Sequence, residues 1–556
     1  MITRERIRKT VVALLFLWIA GAGLFMAWHD SFTTDEAIHM ASGYTILTRH
    51  DYRFDPEHTP LFKMLTAVPL LALKLHPPEG DAQLWGAAQP TFYDAWKETR
   101  SWSDRWAYTP GNPTDLMKFL ARIPSVLSLL MLAGLLYFLT NEWFGRRVAI
   151  WTLFFTSFNP TLLAHGHLAN DDVAVAAAIL FGIALFWRYL QKPSVSRALL
   201  VGIGLTIAVG TKFTGLGLIP LFALCLVWVA VQRRTPVKTV GHAALMAATL
   251  WLGIWTMYGF HSPLVLTDDS VILAVNNWHV PYGMRVPQLI AWAHAVRLIL
   301  PIPFLKGLII VRNGTLFGRG AYLFSQNFSP NLWYYIPAVI ALKTQLVVFA
   351  VGIVGLLLAL RTKSGALGKG PYRLLIASIV VFSALVMNSK LDLGVRYATV
   401  VLALAMPFLG LAMARLHQVT GRYVIATLVV ALYAVPVFVQ FPNMLSFSSE
   451  LIQPYSQGWR YMNDSNLDWG QESQAVAQYS LQHFAGLPIA ANFAWGSIQL
   501  PHYGLQTVNF DPKAPPTETV ILVSAEQLSD IQYARFRCLN PIASIANLAF
   551  FYRIPQ

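Results

Sequence analysis

The feature that most constrains this chain is a recurring one: long apolar stretches such as VVALLFLWIAGAGLFMAW, residues 11–28. A helix needs about 20 apolar residues to cross the hydrocarbon of a bilayer, where only helices and closed barrels satisfy their own backbone. About eleven runs approach that length. They centre near residues 19, 129, 156, 180, 204, 222, 249, 347, 380, 403 and 431. Only 12% of the 556 residues are charged and 55% are hydrophobic, where a soluble domain carries about 25% charge. The expected fold is an α-helical polytopic membrane protein with about eleven transmembrane helices. The opening MITRERIRKT precedes the first run, and no small-x-small cleavage site follows it. The first run therefore reads as an uncleaved helix rather than a signal peptide.

The net charge of +14 would point a soluble protein towards nucleic acid. Here the basic residues fall in short loops, so they read as topology, with a lipid bilayer and no nucleic acid as partner. Putting the N-terminus in the cytoplasm gives the inner loops NEWFGRR, QKPSVSR, QRRTPVK, RTKSGALGKGPYR and RLHQVTGR. The opposite side then receives residues 28–117, 165–172, 259–335, 388–396 and everything after about 443, with nearly all the acidic residues. The C-terminus is expected to be extracytoplasmic. Cys225 and Cys538 lie in an apolar run and near the C-terminus, so no disulfide is expected.

Residues 1–442 read as the transmembrane domain, with 28–117 as a first and 259–335 as a second large extracytoplasmic loop. In the first, HTPLFKMLTAVPLLALKL is apolar but carries lysines. It reads as a helix in or near the interface, with Lys63 and Lys74 snorkelling. DAQLWGAAQPTF and its continuation read as exposed loop or surface helices, and VPQLIAWAHAVRLIL in the second loop is amphipathic. After Pro442 the composition changes. SNLDWGQESQAVAQYSLQHF looks helical, PIAANFAW and TVILVSA look like strands, and 443–556 reads as a small extracytoplasmic α/β domain.

Ionisable residues at the ends of membrane helices are functional candidates. They gather on the outer side: Asp35 and Glu36 after the first run, His58 and Lys63 in the first loop, Asp171 and Asp172 opening the fourth, Lys212 after the fifth, and Arg396 before the tenth. Each has a plainer reading. Asp35, Asp171 and Asp172 suit N-caps, and the two lysines can snorkel. Arg396 opens a helix, where the dipole disfavours a cation, so a bound anion is the sharper reading. Gly394 would let backbone approach a ligand closely. His39 lies four residues after Asp35, a spacing that permits a divalent metal, with Asp35 and His39 as candidate ligands. Carboxylates facing cations at a membrane surface suit glycosyl transfer from a lipid phosphate. The acceptor hydroxyl needs a base, and the departing phosphate needs cations.

The motifs carry a resemblance. TTDEAIHMASGY followed by FDPEHTPLFKML resembles the first luminal loop of protein O-mannosyltransferases, an Asp-Glu pair and then His-Pro-Pro-Leu-x-Lys. Here that element is His58-Thr59-Pro60-Leu61-Phe62-Lys63, with Thr59 in place of the first proline. LANDDVAVAA, GTKFTGLGLIP, LGVRYATVVLALAMPFL and DSNLDWGQES resemble bacterial phospholipid-carrier-dependent glycosyltransferases of the GT-C superfamily. The resemblance implies a GT-C fold, Asp35 as catalytic base with Glu36 beside it, and Asp172 as a second catalytic acid with Asp171 able to stand in. It implies a donor-phosphate site of His58, Lys63, Lys212 and Arg396, with His39, Asp468 and Trp469 as acceptor or support residues. The partners implied are a polyprenyl-phosphate-linked sugar and an acceptor glycan, lipid or protein at a bacterial cytoplasmic membrane. Metal dependence is open: an Asp/Glu/His set could hold a divalent metal, whereas transfer chemistry with Lys and Arg needs none. The DAQLWG insertion departs from the mannosyltransferase pattern, and no β-trefoil insertion is evident in 259–335.

Two rivals come from other classes. A transporter or flippase would place its site near the midplane on broken helices in matching halves, whereas these charges gather at one face. A non-catalytic scaffold would use SNLDWGQ as a binding surface and tolerate loss of Asp35 and Asp172.

Overall fold

The computed structural model describes residues 2–78, 92–260, 299–318, 320–330, 332–361, 371–416, 419–492 and 498–554. The start of the DAQLWG segment and nearly all of VPQLIAWAHAVRLIL lie outside the described residues. In chain order the helices are α1 (Ile2–His29), α2 (Glu36–Arg49), α3 (Pro60–Ala67), α4 (Phe92–Ala107), α5 (Thr114–Phe144), α6 (Arg146–Ser157), α7 (Pro160–Gly166), α8 (Asp172–Gln191), α9 (Val195–Thr211), α10 (Leu218–Arg233), α11 (Pro236–Met257) and α12 (Ile302–Phe317). They continue with α13 (Tyr335–Lys343), α14 (Leu346–Arg361), α15 (Tyr372–Met387), α16 (Thr399–Arg415), α17 (Arg422–Gln440) and α18 (Ser473–His483).

A helix stands at each of the eleven expected centres, but not every one is a full span. Among the described residues, seven helices are long and apolar enough to cross a membrane, or eight if a bent pair counts as one. That pair, α13 and α14, turns through 113° at a short break. α9 and α15 are apolar but shorter, and the run near 156 divides into α6 and α7. The division has a local cause. Asn159 caps α7 by accepting from Leu162 N at 2.9 Å, and Pro160 occupies its first turn.

Burial separates the helices by role. α8 is 89% buried over its apolar window and α11 only 22%, so α8 is the axis of the bundle and α11 faces outward. Large apolar side chains on the outside, such as Leu17, Leu224 and Phe438, have no aqueous explanation but suit lipid. Charges mark the opposite end of the bundle from the acidic pair: Arg146 donates to Glu5 at 2.6 Å, and Arg188 to Glu142 at 3.0 Å.

The segment expected near the interface forms α3, extended by a 3-10 turn over Val68–Ala72. α2 packs on it at unusually short range, because Gly43 faces its backbone. A Cβ at Gly43 would stand 1.9 Å from the Lys63 carbonyl oxygen and 2.9 Å from the Ala67 Cβ. Gly43→Ala is therefore expected to destabilise the protein by about 1–3 kcal/mol, read as a lower unfolding temperature in detergent. An unchanged temperature would contradict this close approach.

The C-terminal segment is less helical than its sequence suggested. SNLDWGQ forms turns, with Gly470 at φ 91°, and the helix α18 begins only at Ser473. The turns arise because Asn466 spends its side chain on other elements, donating to the Tyr335 hydroxyl at 2.9 Å and accepting from Val395 N at 2.8 Å. The two expected strands are present as β3 (Ile489–Ala491) and β4 (Val520–Ser524), following a hairpin of β1 (Ala321–Leu323) and β2 (Gln326–Phe328). With β5 (Ala543–Ile545) and β6 (Ala549–Arg553) they form a sheet of order β3-β4-β6-β5. The β3–β4 pair is parallel and the other two pairs are antiparallel. Ile521, Val523 and Phe550 from this sheet share one hydrophobic core with the membrane helices, so the C-terminal region is packed onto the bundle.

Candidate active site

Asp35 occupies the N-cap position of α2, yet its side chain makes no cap bond. Its carboxylate accepts instead from Arg100 Nη2 of α4 at 2.6 Å and from Arg396 Nη1 at 3.0 Å. Burial raises its pKa, but the two guanidinium groups outweigh that and hold it well below the usual carboxylate range. Arg396 projects from the 3-10 turn Val395–Ala398 that opens α16. Its guanidinium carbon lies 4.4 Å from the Trp469 ring centroid and 5.4 Å from that of Tyr397, and both faces favour the cation. Gly394, at φ 155°, makes a close approach to Ser465 rather than to open space: a Cβ would meet its Oγ at 2.5 Å.

Glu36, the immediate neighbour of Asp35, is turned away from these groups and fully buried. It accepts from Arg122 Nε at 2.8 Å and Nη2 at 2.6 Å, and from Ala169 N at 2.7 Å. The structure thus gives the two acids different surroundings, one partly accessible and one closed.

A second group lies at the start of α8. Lys212, between α9 and the next turn, reaches Asp171 at 2.7 Å and Asp172 at 2.5 Å. His58 Nδ1 lies 2.8 Å from Asp171 Oδ2. Burial disfavours the charged imidazole, but Asp55 and Asp171 push the His58 pKa up to about 9. Lys212 also lies 5.7 Å from the Tyr397 ring, and the Thr399 hydroxyl donates to the Asp172 carbonyl at 3.2 Å. α8 and α16 thereby bring the Asp172 group beside Arg396.

Lys63 is engaged within the first loop. It is buried, donates to the Asp55 carbonyl oxygen at 2.5 Å and lies 3.6 Å from the Asp55 carboxylate. His39 Nδ1 donates to the Ala169 carbonyl, 3.0 Å away. Of the two residues given as metal candidates, His39 joins a cluster with Asp55 and His58 whose ligand atoms all lie within 4.8 Å of one another; Asp35 is outside it. Trp469 reaches the site, and its carbonyl accepts from Thr34 N at 3.1 Å. Asp468 does not touch these cations. It is buried beside the Gly470 amide, 3.3 Å away, and burial raises its pKa to about 6.

Four residues here were not singled out in the sequence: Asp55, Arg100, Arg122 and Tyr397. Arg122 had a signal, a guanidinium inside the apolar FLARIPSVLSLL. Asp55 stood within FDPEHTP. Arg100 lay in a charged surface-like stretch, and nothing local marks it.

Fold and site together define a polytopic membrane protein with a carboxylate and several cations gathered under one end of its helices. Residues 115–257 match the family described as dolichyl-phosphate-mannose-protein mannosyltransferase. The match falls on α5 to α11, about a quarter of the chain. No curated protein is a match. Similar solved structures include ArnT from Cupriavidus metallidurans bound to undecaprenyl phosphate, at 14% identity, with 97% of each chain covered and a TM-score of 0.46. The apo state of ArnT from the same organism gives 14% identity, 97% of each chain and 0.48. The archaeal oligosaccharyltransferase AglB from Archaeoglobus fulgidus, in complex with an inhibitory peptide and a dolichol-phosphate, gives 12% identity over 90% of this chain and 64% of that one, with a TM-score of 0.43.

Proposed function

We propose that this protein is an inverting glycosyltransferase that moves a sugar from a polyprenyl-phosphate donor, undecaprenyl phosphate in a bacterium, to an acceptor hydroxyl on the extracytoplasmic side. The observation that carries this reading is the shared contact of Asp35 and Arg396 at 3.0 Å, which puts a proton acceptor and a phosphate-binding cation within one small volume. Asp35 takes the acceptor proton as the new C–O bond forms at the anomeric carbon. The bond from that carbon to the phosphate oxygen breaks on the opposite face, and the electron pair leaves with the lipid phosphate. Arg396 and Lys212 receive the growing charge. A phosphate on Arg396 competes with Asp35 for the guanidinium, so donor binding raises the basicity of Asp35 at the moment it is needed. Asp171 and Asp172 aim Lys212, and His58 steadies Asp171. Lys63 supports the first loop through the Asp55 carbonyl, and Glu36 fixes the end of α1. The basic loops opposite the site favour a cytoplasmic N-terminus and a bacterial inner membrane location.

The test is transfer of label from a polyprenyl-phosphate sugar in proteoliposomes. Acceptor-dependent release of free polyprenyl phosphate is expected, and movement of intact donor across the bilayer without release would replace this reading with a flippase. In the same preparation Arg396→Ala is expected to weaken donor binding roughly tenfold to a hundredfold, the loss of a charge-assisted contact, with little change in unfolding temperature. Unchanged donor affinity would remove Arg396 from the phosphate site.

A further inference from the structure

The first loop folds a second cluster, His39 of α2, Asp55 and His58, of which glycosyl transfer uses only the His58 Nδ1 contact with Asp171. His39 is 3% exposed and Asp55 1%. Asp55 Oδ2 is buried with no group within hydrogen-bond distance. It faces His39 Nε2 and Lys63 Nζ, each at 3.6 Å. Lys63 is already held by backbone oxygens, its short bond running to the Asp55 carbonyl. A buried carboxylate oxygen lacking a close partner costs stability unless something else meets it.

The two histidines each turn one ring nitrogen towards Asp55 and hold the other against an acceptor. His39 Nδ1 lies 3.0 Å from the Ala169 carbonyl, which can only accept, so that nitrogen carries the proton and Nε2 is left as a donor of its lone pair to a ligand. His58 Nδ1 is engaged by the Asp171 carboxylate, which likewise leaves Nε2 for another partner. Each imidazole thus has its second nitrogen oriented by a carbonyl or a carboxylate, the outer arrangement that accompanies metal-bound histidines. Asp55 adopts φ 49°, a left-handed conformation that costs of order 1–3 kcal/mol for a non-glycine residue and collects at ligand sites.

From this geometry we infer that His39 Nε2, Asp55 Oδ2 and His58 Nε2 form a site for a divalent cation of the zinc type. Two imidazoles and one carboxylate are a suitable donor set for Zn2+, with a fourth position for water. The ligand atoms lie within 4.8 Å of one another, and the His39–Asp55 pair is at 3.6 Å. Tetrahedral bonds of about 2.0–2.1 Å need separations of roughly 3.4 Å, so small side-chain rotations suffice. The cation replaces any proton on His58 Nε2 and meets the Asp55 oxygen that has no hydrogen-bond partner. Binding at this site does not depend on the proposed transfer reaction.

The test uses the full chain, purified in detergent without a histidine tag, stripped with chelator and titrated with Co2+ alone. One Co2+ per chain is expected, with the visible absorption of a four-coordinate imidazole-bound ion, lost when Zn2+ displaces it. Asp55→Asn and His39→Gln each weaken binding at least tenfold. Asp171→Asn, which touches the cluster through His58, weakens it about 10–100-fold while the spectrum keeps its form. His29→Gln, outside the cluster, changes nothing. Zn2+ raises the unfolding temperature of the native protein but not of Asp55→Asn. Should the ligand variants fail to fold, X-ray absorption of the Zn2+-loaded native chain gives the answer, with two imidazoles in the coordination shell. Absence of a saturable Co2+ site, survival of that site in both ligand variants, or a shell without imidazole would overturn the inference.

Discussion

Asp35→Asn is expected to give a chain that inserts, folds and binds donor, but turns over about 10²–10⁴-fold more slowly, the range lost with a positioned general base. The substitution keeps shape and removes the proton acceptor together with its charge. Folding tolerates it because the Asp35 side chain caps nothing and is partly exposed. Its loss leaves Arg100 and Arg396 with one anionic partner fewer, so donor phosphate meets a freer guanidinium, and donor affinity is expected to hold or rise. That split, turnover down and donor binding kept, separates a base from a residue that merely shapes the pocket. Near-normal turnover in purified protein would place the base elsewhere. A parallel fall in donor affinity and unfolding temperature would make Asp35 a structural ion-pair partner of the two arginines.

Much of the arrangement could be read from the chain, and the reasons differ by residue. The apolar runs were legible because the bilayer sets their length. Their number as complete spans was not, because breaks such as Asn159-Pro160 and the 113° turn between α13 and α14 depend on local capping and packing. Asp35, Lys212 and Arg396 stood out as charges beside oil, and the fold brings Asp35 to Arg396 across 361 residues of sequence separation. Asp171 and Asp172 stood out for the same reason, and the fold pairs them with Lys212. What sequence could not assign was which acid faces which cation. Asp35 and Glu36 are neighbours in an acidic pair, and only the rotation of α2 sends one to Arg396 and the other to Arg122. Asp55 was hidden because its carboxylate acquires meaning only when α2 carries His39 against it. The motif implies Lys63 as a phosphate ligand, whereas its backbone contacts at 54 and 55 depend on a turn that no pattern marks.

Arg122→Met is expected to be the most damaging single change to stability, at about 3–5 kcal/mol, the cost of leaving a buried charge without its partner. Arg122 is fully buried and spends its guanidinium on four residues. It donates to Glu36 through two nitrogens, to the Ala27 carbonyl at 3.0 Å, to the Asp30 carbonyl at 2.7 Å and to the Ser31 carbonyl at 2.7 Å. Glu36 in turn accepts from Thr33 N at 2.8 Å, Thr33 Oγ1 at 3.0 Å and Ala169 N at 2.7 Å. One ion pair thus ties the end of α1, the start of α2, the side of α5 and the strand of chain leading to Asp171. Arg122→Lys is expected to recover little, because a point charge on a flexible stem cannot serve a carboxylate and three carbonyls at once. Adding Glu36→Gln to Arg122→Met removes the stranded anion and is expected to restore part of the loss, which denaturant or thermal unfolding of the single and double variants measures as a coupling energy. A cost below about 1 kcal/mol, typical of exposed pairs, would show that the pair does not organise this junction. The same cycle separates the two acids. Glu36→Gln should lower stability and take activity down with the folded fraction, whereas Asp35→Asn should lower activity in protein that remains folded, because Glu36 holds the backbone from which Asp35 reaches the site.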